Sequence, residues 1–384
     1  MNEWKEYTFS EFIQINPSVK LPKDKVVSFV EMKDLVDGRR FCIPSSERRN
    51  GSGSKFQEYD TLFARITPCL ENGKIAQAKG LKDGIGLGST EFLVFRGKPS
   101  ISDNNFVYYL SRWEEVRAHA EINLDGTSGR QRVPKECFND LKLILPTDLA
   151  EQRAISSILS SLDDKIDLLH RQNATLEKMA ETLFRQWFVE EAKEEWETKP
   201  LSSIAYFLNG LACQKYPPKN DLEKLPVIKI KELSSGITEN SDWATTDVKP
   251  EYIVKNGDVI FAWSASLMVK IWDGQDCILN QHLFKVTSEN YPKWFYFLWC
   301  KHHLDEFIAK AASHATTMGH IKRGDLDDAM VLIPSTKELE EMTFETEPLI
   351  AKIISNNRQL RLLVNLRDTL LPKLMSGEIR VKIN

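Results

Sequence analysis

Three polar stretches in the first third of the chain carry side chains that could contact an anionic polymer. Residues 37–40 and 45–55 combine glycine and serine with five arginine or lysine side chains, and residues 126–132 have the sequence Gly-Thr-Ser-Gly-Arg-Gln-Arg. Small residues let backbone N–H and hydroxyl groups approach phosphate oxygens, while Arg and Gln can bind guanine and adenine edges in the major groove. The pattern predicts nucleic-acid contacts, although a surface loop also explains each stretch taken alone.

The second half of the chain has polar stretches at corresponding places, residues 262–270 and 314–323, and the duplication favours a function over a chance surface loop. The residues predicted to bind DNA are Arg39, Arg40, Arg48, Arg49, Lys55, Arg65, Ser128, Arg130, Gln131, Arg132, Ser264, Ser266, Lys270, His314, Thr316, Thr317, His320, Lys322 and Arg323.

Catalytic and metal-binding patterns are weak in this sequence. The Gly-Ile-Gly-Leu-Gly run at 84–88 lacks nucleotide-loop spacing and predicts a turn, and no P-loop motif occurs. The Tyr-Pro-Pro-Lys run at 216–219 does not fit the motif of adenine methyltransferases, and the histidines lack metal-ligand spacing. We therefore predict a non-catalytic chain without a bound metal.

Composition indicates a globular protein of two domains with helical spacers. The chain has 384 residues, 42% of them hydrophobic, and a formal net charge of −4, so any DNA binding must use local patches. Its six cysteines form no CxxC pair, which predicts reduced thiols in the cytoplasm. No apolar run approaches the length of a membrane span, so no membrane contact is expected.

A heptad pattern from residue 155 to residue 187 predicts a coiled-coil helix about 50 Å long. Asp163 and Asp164 lie beside this apolar seam and are predicted to face solvent. The seam residues are Ile155, Leu159, Leu162, Ile166, Leu169, Asn173, Leu176, Ala180, Leu183 and Trp187.

A second seam recurs with an offset of 187 positions, and segments outside the helices recur as well. Residues 59–64 resemble residues 256–262, and residues 141–146 resemble residues 329–334. The chain is therefore predicted to contain two copies of one plan, a globular unit followed by a helix. The second seam comprises Leu349, Ile353, Asn356, Leu360, Leu363, Arg367, Leu370 and Leu374.

The repeat predicts that the two helices pair antiparallel within one chain, about a pseudo-twofold axis. A dyad at the midpoint of the first seam would place Asn173 opposite Asn356, the main polar residues of their seams. A hydrogen-bonded Asn pair is one way to fix register in a coiled coil. The same rule pairs Ile166 with Leu363, Leu169 with Leu360 and Leu176 with Ile353.

The predicted fold class is α+β, with two mixed α/β domains at 1–146 and 196–334 separated by helical spacers at 147–195 and 335–384. Predicted strands are residues 26–30, 61–65, 74–78 and 92–95 in the first domain and 227–230, 259–262 and 283–286 in the second. Amphipathic helices are predicted at 105–119 and 294–312.

Residues 145–169 (Leu-Pro-Thr-Asp-Leu-Ala-Glu-Gln-Arg and onward) and 366–379 strongly resemble the conserved regions of type I restriction-modification specificity subunits, and the whole layout fits. The resemblance implies that each domain is a target-recognition domain for one half of a bipartite DNA site. It also implies that the spacers, including Glu151, Gln152 and Arg153, dock two methyltransferase subunits. The second docking motif, residues 340–342, departs from the first because it ends in Met342.

The resemblance places the cofactors on partner chains: S-adenosylmethionine, ATP and Mg²⁺ are expected on the methyltransferase and on the restriction translocase, and none on this chain. Two other interpretations remain open. A coiled-coil interaction scaffold would show no salt-dependent affinity for double-stranded DNA. A nuclease or methyltransferase in its own right would show activity as an isolated chain.

Overall fold

The computed structural model describes residues 3–22, 25–49, 51–127, 129–313 and 319–381. It divides into two compact units: unit 1 comprises residues 1–168 and 362–384, and unit 2 comprises residues 169–361. Within the described ranges, no helix combines the length and the apolarity needed to cross a bilayer.

The described residues of unit 1 form three sheets and three short α-helices before the first long helix. Its strands are β1 (Trp4–Thr8), β2 (Ile13–Ile15), β3 (Val26–Val30), β4 (Phe41–Cys42), β5 (Ser46–Arg49), β6 (Ser54–Gln57), β7 (Thr61–Ala64), β8 (Ile75–Ala78), β9 (Ile85–Gly88), β10 (Phe92–Gly97) and β11 (Lys142–Pro146). Its helices are α1 (Phe9–Phe12), α2 (Asn104–Arg112) and α3 (Glu114–Ile122), and the long helix α4 (Leu149–Arg185) begins in this unit.

The central sheet of unit 1 has the strand order β2-β10-β7-β8-β4, and a second sheet has the order β5-β3-β9-β6. Strands β1 and β11 form a separate antiparallel pair. Aromatic rings fill the core between the central sheet and the helices, where Phe95 packs against Phe9, Phe63 and Phe138. This core fixes the strand ends that carry the candidate site.

Unit 2 repeats this plan. Its strands are β12 (Glu197–Pro200), β13 (Tyr206–Asn209), β14 (Lys224–Ile228), β15 (Trp243–Thr245), β16 (Ile253–Val254), β17 (Val259–Ala262), β18 (Met268–Ile271), β19 (Cys277–Leu279), β20 (Leu283–Thr287) and β21 (Met330–Ile333). Its helices are α5 (Leu201–Ile204), α6 (Ile230–Ser235), α7 (Lys293–His302), α8 (Leu304–Ser313) and α9 (Arg323–Asp328), and the long helix α10 (Thr336–Met375) begins here. The sheets have the orders β13-β20-β17-β18, β15-β14-β19-β16 and β12-β21.

Most predicted elements are present, and four differ. Residues 84–88 do not form a plain turn, because Ile85–Gly88 is the buried strand β9 between β3 and β6. The polar stretch 45–55 contains two edge strands, β5 and β6, rather than one loop. The helix predicted at 105–119 is split at Trp113, whose ψ of 138° is extended, and the one predicted at 294–312 is split at His303.

Within each unit, the two long helices run antiparallel, as predicted. In unit 1, Ile155 and Leu159 of α4 share a buried cluster with Leu371 and Leu374 of α10. In unit 2, the later part of α4 meets the earlier part of α10, and Leu176 packs against the cluster that holds Ile353. Buried apolar side chains at helical spacing hold both pairings.

The asparagine pair predicted from the register is confirmed in unit 2. The Asn356 Nδ2 donates a hydrogen bond of 2.9 Å to Asn173 Oδ1, and Asn173 Nδ2 donates one of 2.6 Å to Asn357 Oδ1. Both Asn173 and Asn356 are buried. Asn173 therefore links two amides of α10 through hydrogen bonds, while Asn356 Oδ1 is buried and accepts none from the described residues.

Replacing one member of this pair is expected to cost more than replacing both. The Asn173→Leu variant removes the acceptor of the buried Asn356 amide, so we expect the free energy of unfolding to fall by about 1–3 kcal/mol. The double variant Asn173→Leu/Asn356→Leu should recover most of this loss. Urea denaturation of the full chain measures both, and equal or additive losses would contradict the pairing.

Asp163 does not face solvent, which corrects the sequence prediction for this residue. Its side chain is 3% exposed and receives hydrogen bonds from Arg367 Nη1 (2.9 Å) and from the Tyr109 hydroxyl (2.6 Å). Asp164, the next residue, is exposed as predicted. Asp163 is buried because the helix packs on its seam and also against α2, so more than one of its faces is covered.

In each unit, a tryptophan in the first strand or directly before it is hydrogen-bonded to a glutamate at the start of a long helix. Trp4 Nε1 donates to Glu151 Oε1 at 3.0 Å, and Trp196 Nε1 donates to Glu338 Oε2 at 3.0 Å. The structural counterpart of Glu151 is therefore Glu338, not a residue of the 340–342 segment. The alignment based on the docking motif was displaced by two positions.

Candidate nucleic-acid interface

One end of the central sheet is built in the same way in both units. In unit 1, the backbone of Arg65 accepts from Val133 N (2.8 Å), and Thr67 N donates to Gln131 O (3.0 Å). In unit 2, Trp263 O accepts from Ile321 N (3.0 Å), and Ala265 N donates to Gly319 O (2.8 Å). In each unit, the residues that follow the central strand, β7 or β17, are thus hydrogen-bonded to residues in or directly after the last polar stretch.

These hydrogen bonds define equivalent positions in the two units. Arg132 forms an isolated antiparallel β-bridge with Ile66, and His320 forms the same kind of bridge with Ser264. Likewise, Arg65 N donates to Glu91 O, and Trp263 N donates to His282 O. The three pairs of equivalent residues are Arg65 and Trp263, Glu91 and His282, and Arg132 and His320. We call each set of three the strand-end triplet of its unit.

The triplet of unit 1 contains a charge-assisted pair. Arg132 donates to Glu91 through Nε (2.9 Å) and Nη2 (2.8 Å), and its Nη1 donates to the carbonyl of Arg130 (3.2 Å). The hydrogen bonds that Arg132 donates to the Glu91 carboxylate raise the pKa of the Arg132 guanidinium, which remains partly exposed. The carboxylate therefore fixes the orientation of an arginine that solvent can reach.

The triplet of unit 2 is aromatic and lacks a permanent cation. The rings of Trp263 and His320 meet edge to face with 6.3 Å between centroids, and Trp263 stacks on Phe284. The Ser264 hydroxyl is hydrogen-bonded to His282 Nδ1 at 3.2 Å. Aromatic and imidazole groups can stack on bases or bond to their edges, so the two units present different chemistry at equivalent places.

Several other residues predicted to bind DNA are exposed. Arg48 stacks over the Phe29 ring at 3.5 Å and lies 3.4 Å from Glu31. Outside the two triplets, the other exposed residues of the predicted set are Arg49, Lys55, Arg130, Ser266, Lys270, Lys322 and Arg323. Gln131 and Arg65 are half-buried. Exposed cations on edge strands can bind phosphate, and their predicted DNA contacts stay predictions.

The Arg40 side chain lies in the interior of unit 1, so the prediction that it contacts DNA is wrong. Its side chain is only 8% exposed and donates to Gln77 Oε1 (3.0 Å) and Asn105 Oδ1 (2.8 Å). Arg39 pairs with Asp167 on α4 at 3.1 Å.

In unit 2, two of the residues predicted to bind DNA are already hydrogen-bonded to neighbouring groups. Lys270 Nζ donates to the Leu233 and Ser234 carbonyls at the end of α6. Ser264 is buried beneath His282.

The three predicted docking residues differ in their exposure to solvent. Glu151 is buried and accepts from Trp4 and from Arg380 Nη1 (3.2 Å). Gln152 is fully buried, accepts from Asp103 N and donates to two backbone carbonyls. Only Arg153 presents its side chain to solvent. The docking prediction therefore rests on Arg153, while the other two residues anchor the helix start.

Four predicted residues, Ser128, His314, Thr316 and Thr317, lie outside the described residues. Sequence reasoning also missed three that the structure brings to the strand ends, namely Glu91, Trp263 and His282. Each stands directly beside a correctly predicted strand, and that position was the signal which could have identified them.

The described residues contain no group of three or more His, Cys, Asp or Glu side chains that could hold a metal ion. All six cysteines are unpaired. Burial raises the pKa of the Cys42 thiol to about 12 and that of Cys137 to about 11, so both are poor nucleophiles near neutral pH.

Comparisons with known proteins agree with this duplicated architecture. The family model described as "Type I restriction modification DNA specificity domain" matches residues 49–178 and 193–363. The MjaIX specificity subunit of Methanocaldococcus jannaschii is 27% identical over 307 residues, which cover 73% of this chain and 70% of the relative. The HindI specificity subunit of Haemophilus influenzae is 20% identical over 99% of this chain and 100% of the relative.

Other similarities are partial or structural. The EcoEI specificity subunit of Escherichia coli is 31% identical, but the match covers only 50% of this chain and 34% of that subunit. A crystal structure of a type I S subunit from M. genitalium superposes with a TM-score of 0.56 over 100% of this chain and 97% of that one, at 13% identity. With two matched copies of the specificity domain, the chain belongs to the family of type I restriction-modification specificity subunits.

Proposed function

We propose that this chain provides the sequence specificity of a type I restriction-modification complex, with each unit binding one half of a bipartite site in double-stranded DNA. The observation that carries the proposal is the pair of strand-end triplets. The same backbone framework presents Arg65, Glu91 and Arg132 in one unit and Trp263, His282 and His320 in the other. The two units share this backbone framework but carry different side chains on it, which suits two half-sites of different sequence.

In this proposal the chain is not an enzyme. Two methyltransferase subunits dock on the helical spacers and use S-adenosylmethionine, and restriction subunits that use ATP and Mg²⁺ assemble on them. The antiparallel helices support such docking because the repeat gives each unit a similar helical face. Arg153, exposed near the start of α4, is the docking residue that the structure leaves accessible.

Exchanging one unit should change one half of the target. A chimera that carries residues 197–334 from a relative is expected to alter the half-site bound by unit 2 and to leave the other half unchanged. The measurement is sequencing of methylated positions in DNA from cells that express the chimera with the methyltransferase subunits. The reciprocal exchange of residues 1–146 is the matched control, and changes in both halves would oppose the modular account.

A further inference from the structure

The pairing of Arg132 with Glu91 leaves a defined set of hydrogen-bond donors. A guanidinium has five N–H groups, one on Nε and two on each terminal nitrogen. Nε and one N–H of Nη2 bind Glu91, and one N–H of Nη1 binds the Arg130 carbonyl. One N–H therefore remains on each terminal nitrogen, and Arg132 is partly exposed. Free donors on both terminal nitrogens suit the O6 and N7 acceptors of guanine.

The same pairing disfavours a simple phosphate contact. The Glu91 carboxylate lies 2.8 Å from Arg132 and offsets its positive charge, which weakens attraction to an anionic phosphate. A guanine edge is neutral and does not repel the carboxylate. Arg130, two residues earlier, is exposed and has no ion pair with a described residue. Arg130 is the better phosphate ligand of the two.

We propose that Arg132, oriented by Glu91, is a specificity-determining residue that binds a guanine in the half-site of unit 1. This inference rests on the proposed function and adds the residue and the base. The equivalent position in unit 2 is His320, beside Trp263 and His282, and neither an arginine nor a lysine occurs in that triplet. The triplet of unit 2 therefore offers no arginine for an equivalent contact with guanine.

The test compares Arg132→Ala, Arg132→Lys and Glu91→Gln in the full complex of this chain with its methyltransferase subunits. The readouts are the methylated motif and the affinity for duplexes that differ at single positions. Arg132→Ala is expected to lower discrimination at one G·C position by about 10- to 100-fold and to leave the other half-site intact. Arg132→Lys should also relax that position, because a lysine lacks the paired donors.

The Glu91→Gln variant tests whether the Glu91 carboxylate is needed to orient Arg132. It keeps the arginine but removes the carboxylate, so we expect the same position to relax while overall affinity for DNA holds or rises. Arg130→Ala is the matched control from the same stretch. It should weaken binding to all sequences and reduce the salt dependence, without changing base preference.

Three results would overturn the inference: uniform loss of affinity in Arg132→Ala, relaxation at an A·T position, or an unchanged motif. If the wild-type complex methylates no specific motif, the proposed function itself fails, and the two failures are thus distinguishable. Thermal unfolding of each variant identifies any that misfold, and Glu91→Gln tests the position independently of the arginine substitutions.

Discussion

Replacing Arg367 with methionine is expected to lower the free energy of unfolding by about 3–5 kcal/mol, because it leaves a carboxylate buried without its cation. Arg367 and Asp163 have side chains that are 4% and 3% exposed, and 2.9 Å separates Nη1 from Oδ1. Arg367 also donates to the Gly38 carbonyl and to Asp368. The Tyr109 hydroxyl completes the coordination of Asp163.

Arg367 stays charged in this site. Burial lowers the pKa of its guanidinium, but the hydrogen bonds and charges of Asp368 and Asp163 outweigh burial and raise the pKa above its ordinary value. Burial and the nearby Asp163 charge raise the pKa of the Tyr109 hydroxyl, which therefore remains a donor. Arg367 therefore remains a cation and Tyr109 remains a hydrogen-bond donor near neutral pH.

Two comparisons make this stability prediction specific. The triple change Asp163→Leu, Arg367→Met and Tyr109→Phe removes the buried ion pair together with the tyrosine hydroxyl bound to it, and should recover most of the loss. Lys142→Ala breaks an exposed pair with Glu6 in the same unit and should cost less than about 1 kcal/mol. Denaturant titration of the full chain measures all three, and a small loss for Arg367→Met would show that the pair contributes little.

Lengthening both long helices by one heptad is expected to widen the non-specific gap in the DNA target. Seven residues add about 10 Å of helix, and B-DNA rises about 3.4 Å per base pair. The gap should therefore grow by about three base pairs, with both half-sites unchanged. The insertions belong directly after Leu169 in α4 and directly before Leu360 in α10, which keeps the confirmed contact between Asn173 and Asn356.

The matched control inserts the heptad after Leu169 alone. The two seams then no longer correspond in length, so we expect a loss of stability rather than a clean change in the gap. Sequencing of methylated positions measures the gap, and denaturation measures the stability. An unchanged gap with the paired insertion would contradict a role of the helices as spacers.

The repeat and the helix register were predictable because both depend on apolar periodicity, which is local and visible. Because this periodicity is local, it also led to the wrong prediction that Asp163 faces solvent. A carboxylate beside the seam looks like part of a solvated face, and its partners Tyr109 and Arg367 are distant in sequence. Arg367 belongs to the second predicted seam, but the heptad pattern alone could not show that it pairs with Asp163.

The candidate site was predicted in outline and not in detail. The arginines at 130 and 132 were identified from the composition of their stretch, but Glu91 was not, because it reaches Arg132 only when strand β10 is placed beside β7. Likewise, residues 45–55 resemble a loop in composition. They form edge strands because β3 and β9 offer them backbone partners, and edges tolerate serine and charged residues.

The most direct test of the central claim is to sequence the methylated positions in DNA from cells that express this chain with its methyltransferase subunits. The account predicts one bipartite motif, with two specified halves and an unspecified gap, that disappears when the chain is omitted. Methylation that persists without the chain, or that lacks any sequence motif in its presence, would contradict the assignment of DNA specificity to this protein.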